Sequence, residues 1–156
     1  MRVRERVFER PDVPYQVALE REAWRQMTRF AQHWPWTKEG GGQLFGVVEK
    51  YVVCVQEATP PRKGDVRTRI SFDIHPDSAA REIAEREKNG LLYLGDWHTH
   101  PERKAKPSPQ DMTNARRLFS GARGRPFLVA IIVGTERHYI GLFNSITMLP
   151  LTERRR

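Results

Sequence analysis

Cysteine is almost absent from this chain: Cys54 is the only one in 156 residues. An intrachain disulfide is therefore excluded, and so is a metal site built on paired cysteines. Cys54 lies in the apolar run Tyr51-Val52-Val53-Cys54-Val55, where it reads as a small buried hydrophobe. Long apolar stretches are missing too. The longest, Phe127 to Val133, falls far short of a membrane span. The first residues, Met1-Arg-Val-Arg-Glu-Arg-Val, contain no apolar core of the kind an export signal needs. These absences lead to the expectation of a cytoplasmic protein with no membrane partner. Internal repeats, low-complexity segments and a linker long enough to divide domains are also missing.

What is present is charge, with one sign in excess. Lysine and arginine number 27 against 19 acidic residues, a formal net charge of +8. Such a balance draws attention to acidic partners. The cations are mixed with anions, however, as in Glu85-Arg86-Glu87-Lys88, and only 62–69, 103–106, 116–125 and the Arg154-Arg155-Arg156 end are biased. A solvated basic surface explains this pattern, and nucleic acid is not the expected partner. A non-catalytic basic module that binds nucleic acid or protein is the alternative reading from another class. The length suits one domain, 1–156, with one core, and the basic end 152–156 is a candidate for disorder.

Apolar spacing predicts a helix over Leu19–His33, stopped by Trp34-Pro35-Trp36. Gly40-Gly41-Gly42 predicts a turn into a strand, Gln43–Glu49, forming a hairpin with Tyr51–Glu57. Thr59–Thr68 reads as a loop and Arg69–Ile74 as a strand. Asp77 or Ser78 is expected to cap a helix to Lys88, ended at Asn89-Gly90. Leu91–Trp97 reads as a buried strand. A further helix runs from Ser108 to Ser120, and strands are expected at Phe127–Val133, Arg137–Phe143 and Ile146–Leu151. The fold class is α/β (α+β): a mixed central sheet flanked by helices.

The stretch Gly95 to Asp111 carries the chemistry. His98 and His100 are two apart, so on a strand both rings leave one face. Asp111 follows a proline-rich turn and can fold back towards them. Two imidazoles and a carboxylate are a common catalytic zinc shell with one position left for water. Ser108, Pro109 and Asp111 also match a capping box, and the two roles are compatible. His-Glu-x-x-His is absent, one cysteine cannot serve a zinc deaminase, and the chain is too short for a barrel hydrolase. A hydrolytic site needs a general base. Glu39, at the head of Glu39-Gly-Gly-Gly-Gln-Leu-Phe-Gly46, is the best candidate, although an exposed turn glutamate would look the same. Asp96 and Glu102 flank the histidines, where either can orient an imidazole N–H, although Glu102 in Glu102-Arg103-Lys104 reads more readily as a solvated charge. His33, His75 and His138 fit no ligand spacing. Trp34 and Trp36 can form an exposed partner patch, but packing anchors at a helix end are the favoured reading.

Glu39-x-Gly-Gly-x-Leu-x-Gly, then His98-Thr-His100-Pro101, then Ser108-x-x-Asp111, resembles the JAMM motif of the MPN-type (Jab-domain) zinc metalloproteases. Five separated positions agree in type, order and spacing. The resemblance implies a single domain of that type, with zinc held by His98, His100 and Asp111. It implies Glu39 as the proton shuttle and Ser108 as hydrogen-bond donor to the oxyanion. It also implies cleavage of peptide or isopeptide bonds in conjugates of a ubiquitin-like protein. The wording Gly-Asp-Trp-His-Thr-His-Pro-Glu is most similar to the small bacterial branch, found with activating and conjugating enzymes encoded nearby, some of whose members cleave conjugates of a signalling nucleotidyltransferase. Long insertions are absent, and Thr59–Thr68 is the nearest equivalent. The family's sulfur-carrier peptidases, which trim a carrier's tail, are the alternative.

Overall fold

The structure is a computed structural model describing residues 6–122 and 124–155. Most of the N-terminal stretch inspected for an export signal lies outside the described residues, as do Arg123 of the basic stretch 116–125 and Arg156.

Two short strands, β1 (Arg6–Glu9) and β2 (Gln16–Leu19), precede helix α1 (Arg21–Thr28). A hairpin follows, β3 (Gly41–Glu49) and β4 (Val52–Ala58), then a small ribbon of β5 (Val66–Arg67) and β6 (Phe72–Asp73). Helix α2 (Pro76–Lys88), strand β7 (Leu92–Thr99) and helix α3 (Pro109–Gly121) come next. Strands β8 (Leu128–Val133), β9 (Tyr139–Phe143), β10 (Met148–Pro150) and β11 (Thr152–Glu153) complete the chain. All but β5 and β6 join one mixed sheet, ordered β10-β9-β8-β7-β3-β4-β2-β1-β11. The pairs β2–β4 and β7–β8 are parallel and the rest antiparallel. The two edge strands are consecutive in the chain, separated by Leu151 alone. Neighbouring Cα atoms are about 3.8 Å apart, so the sheet must curl until its edges meet.

The fold is α+β with three helices, as expected, but its N-terminal part differs from the sequence reading. The helix expected over Leu19–His33 is only eight residues long, and Leu19 instead ends β2, fully buried. The chain leaves the helix at Arg29, ahead of Pro35. Phe30 is drawn against the main core and Gln32 into buried hydrogen bonds. The strand expected at Arg69–Ile74 shrinks to Phe72–Asp73, paired with Val66–Arg67 from the expected loop. His75, not Asp77 or Ser78, caps α2, its Nδ1 accepting from Asp77 N at 3.3 Å. The C-terminal end considered for disorder contains β11, which pairs Glu153 with Phe8, while Arg154 binds Glu9 at 2.6 Å. Cys54 is only half-buried.

Hydrophobic burial fixes the two faces of the sheet. On one, Ala23 and Met27 of α1 pack with Leu19, Val53, Val55, Trp97, Ile131 and Leu142. Trp97 is 1% exposed and donates from Nε1 to Thr59 O at 2.9 Å. On the other face, Phe45, Tyr93 and Leu128 meet Ile83 of α2 and Leu118 and Phe119 of α3. Neither α2 nor α3 has a fully buried residue. A cleft of about 1480 Å³ opens between them and the sheet.

A bulge in β7 sets which side chains enter that cleft. Leu44 pairs with Gly95 and Phe45 with Tyr93, so Leu94 is an extra residue. Gly95 adopts φ 148°, and a Cβ there would meet Val129 O at 1.9 Å. The bulge resets the two-residue alternation. Leu94 and Trp97 join the α1 core, while Tyr93, Asp96 and His98 line the cleft. Among the described residues no helix is long and apolar enough to cross a membrane.

Candidate metal centre

His98 is the penultimate residue of β7 and His100 lies just beyond its end. The strand is held on both sides, by Gly41 of β3 opposite His98 and by Ile132 of β8. Asp111 stands in the first turn of α3, where side chains have little freedom. Its carboxylate accepts from Ser108 N at 2.8 Å, and Ser108 Oγ accepts from Asp111 N at 3.1 Å. The capping box is therefore formed.

The same carboxylate reaches the histidines. Asp111 Oδ1 is 3.2 Å from His98 Nε2, and Oδ2 is 3.1 Å from His100 Nε2. The two Nε2 atoms are 3.0 Å apart. Two nitrogens and a carboxylate oxygen thus converge on one point, a donor set that suits Zn²⁺ with room for a further ligand. Among the described residues this is the group whose ligand atoms gather closely enough to hold a metal ion.

The electrostatics agree with the geometry. Burial acts to raise the Asp111 carboxyl, but hydrogen bonds from His100 and His98 overcome it and hold Asp111 well below the usual carboxylate range. Burial acts to lower His100, yet hydrogen bonds to Asp111 and Glu102 lift it to about 9.

Glu39 occupies the loop before β3 and is 4% exposed, so it is no exposed turn residue. It lines the cleft with His98, His100, Ser108 and Asp111. Burial, opposed by His100 and aided by Asp111 and Asp73, lifts its carboxyl to about 7. The triple glycine is less a turn than a close-packed strand entry. Gly41 and Gly42 already belong to β3, and a Cβ on Gly42 would strike Thr59 O at 2.0 Å.

Ser108 has a hydroxyl proton to spare. Its oxygen accepts in the cap, and among the described residues no bond is found in which the hydroxyl donates. One lone pair serves the helix while the O–H stays free for the cleft.

Gln32 and Thr99 had no role from the sequence, while Glu102 and Asp96 were read only as flanking groups that can orient a histidine. Glu102, read as a solvated charge, places Oε1 3.0 Å from His100 Nδ1 and also accepts from Lys106 N at 3.2 Å. Its spacing, two after His100, was the available signal. Gln32 and Thr99 form a buried hydrogen-bond frame beside Glu39. Asp96 pairs with Tyr93, whose hydroxyl donates at 2.6 Å, and burial pushes it up to about 6. His75 caps α2 and His138 packs edge-on against Trp24 at 4.7 Å, both apart from the cluster. Trp34 and Trp36 are not packing anchors. They stack on each other at 5.6 Å and remain 63% and 71% exposed. Some arginines are paired with carboxylates, as in Arg62–Glu82 and Arg103–Glu136.

A curled mixed sheet, with two histidines at the end of a central strand and an aspartate on the next helix, defines a class of α+β domain built around a metal-type cluster. The family described as prokaryotic homologs of the JAB domain matches residues 20–144, and the chain belongs to it. A Vibrio cholerae protein named CD-NTase/cGAS isopeptidase is 33% identical over 108 residues, covering 67% of each chain. A Pseudomonas aeruginosa protein of the same name is 34% identical over 107 residues, covering 67% of this chain and 68% of its own. A solution structure of a Desulfitobacterium hafniense protein shares the fold, with TM-score 0.62, 23% identity, and 89% and 90% of the two chains covered.

Proposed function

We propose that this chain is a zinc-dependent isopeptidase of one domain, 1–156, acting in the cytoplasm on a protein conjugate. The substrate is a protein, ubiquitin-like or a CD-NTase, joined through its C-terminal carboxyl to an amine. The observation that carries this reading is the convergence of His98, His100 and Asp111 within 3.0–3.2 Å beside a buried Glu39. The isopeptidase names of the two relatives support the substrate class, as would an activating or conjugating enzyme encoded nearby.

His98, His100 and Asp111 would hold the ion, with Glu102 orienting His100 through Nδ1. When bound, the ion supplies Lewis acidity and makes hydroxide available near neutral pH. Glu39 takes the proton released when water attacks the scissile carbonyl and hands it to the leaving amine. A carboxylate placed in the cleft beside the cluster can both accept that proton and return it. Ser108 turns its free O–H towards the oxygen that gains charge during the attack. The cleft between α2, α3 and the sheet accommodates the extended tail next to the bond.

The test is direct. Zinc-loaded protein is incubated with a CD-NTase whose C-terminal carboxyl is linked to a lysine ε-amine, and the products are weighed by mass spectrometry. The reading predicts cleavage at the isopeptide bond, abolished by E39Q. Cleavage that E39Q leaves at full rate removes the mechanism.

A further inference from the structure

We propose that Gln32 is a positioning residue that sets Glu39 against the metal cluster, acting through Thr99. This rests on the isopeptidase reading above, in which Glu39 moves the proton.

Gln32 follows α1 and is 4% exposed. Its Oε1 accepts from Thr99 Oγ1 at 2.7 Å. Its Nε2 donates to Thr37 O and Arg69 O, both at 3.0 Å. Thr99 sits between the two histidines and is fully buried. Its hydroxyl accepts from Gly40 N, and its own N–H donates to Gly40 O, each at 2.9 Å. Gly40 is thereby fixed on both of its backbone polar groups. The third segment, around β5 and β6, holds Glu39 itself. Glu39 N donates to Thr68 O at 2.8 Å, and Arg67 Nε donates to Glu39 O at 2.7 Å. One amide therefore ties together the three segments that grip Glu39 from before, behind and beside.

The chemistry of the position admits little substitution. Two carbonyls need two donors and one hydroxyl needs an acceptor, and the primary amide supplies all three. Methionine has similar length but leaves each group unpaired in a buried setting. Glutamate turns a carboxylate on two carbonyls. Partly satisfied buried networks lose far more than one bond's worth of order. Among the described residues Gln32 bonds to Thr37, Arg69 and Thr99 and not to His98, His100 or Asp111. The predicted injury is a misplaced base beside an intact metal site.

Four proteins are compared in zinc and cobalt(II) forms: Q32M, T99V, E39Q and the double variant Q32M/E39Q. The substrate is the CD-NTase–lysine conjugate. Q32M should lower kcat by about 10²-fold, the usual scale for a displacement near 1 Å. KM, zinc affinity and the visible cobalt spectrum should stay as in the parent. Added to E39Q, Q32M should cause no further loss, because the group it positions is already gone. T99V removes only the linking hydroxyl and should repeat the pattern, which provides the test if Q32M does not fold. Full kcat in a folded Q32M or T99V overturns the proposal, and so does an equal loss with and without Glu39. Full activity in E39Q alone refutes the isopeptidase mechanism instead. Low activity in E39Q with a normal Q32M refutes only the positioning role.

Discussion

Glu102 Oε1 lies 3.0 Å from Nδ1 of His100, on the side of the ring away from Asp111. The pairing turns Nε2 towards Asp111 and His98 and increases the basicity of the imidazole. Outer partners of this type typically contribute about 10–100-fold in metal affinity. E102A should weaken zinc binding by that factor while leaving the fold intact, because the Glu102 side chain is 41% exposed. Competition with a chromophoric chelator measures it, and an unchanged affinity would remove Glu102 from the site.

His100 provides a pH prediction for the metal-free protein. Its hydrogen bonds to Asp111 and Glu102 outweigh burial and hold a proton up to about 9. An incoming cation must displace that proton. Apparent zinc affinity should therefore rise about tenfold per pH unit between pH 7 and 9, then level off. A flat profile over this range, measured in buffers that do not bind zinc, would contradict the ion-paired cluster.

Glu39 should depress stability at high pH when no metal is bound. Its ordinary value of 4.5 is lifted by burial to about 7. Between those values the folded chain binds more protons than the unfolded one, so stability falls as pH rises through the window. E39Q removes that cost. Its melting temperature should match the parent's near pH 4.5 and exceed it above pH 7, by about 2–4 °C for each kcal/mol recovered. An offset independent of pH in thermal scans would show that Glu39 is not desolvated in the folded protein.

Ser108 should separate two roles in one experiment. S108A removes the cap acceptor, at about 1 kcal/mol. It also removes the free O–H, at about 10²-fold in kcat if that group meets the developing charge. Urea melts and steady-state rates report the two effects independently. Lost stability with an unchanged rate would leave Ser108 as a cap alone.

The site was far more legible than the frame that supports it. His98, His100, Ser108 and Asp111 fall within fourteen residues, and strand and helix periodicities suffice to bring them together. Glu39 lies far from them in sequence and was singled out because hydrolysis needs a base; the structure places it in the same cleft. Gln32 offered no signal, since two of its partners, Arg69 and Thr99, lie 37 and 67 residues away. β1 was hidden for a related reason. It has four residues, two of them charged, and pairs with the equally short β2 and with β11 at the far end of the chain. The Leu94–Gly95 bulge was unreadable because both alternations around it look regular until the register with β3 is known.

Metal content tests the central claim most directly. Protein purified without chelators is analysed by plasma mass spectrometry, alongside D111N and the double variant H98A/H100A. The account predicts one zinc per chain in the parent, less in D111N and none in the double variant. A parent that is metal-free and cannot be loaded with zinc, or a double variant that keeps its zinc, would contradict it.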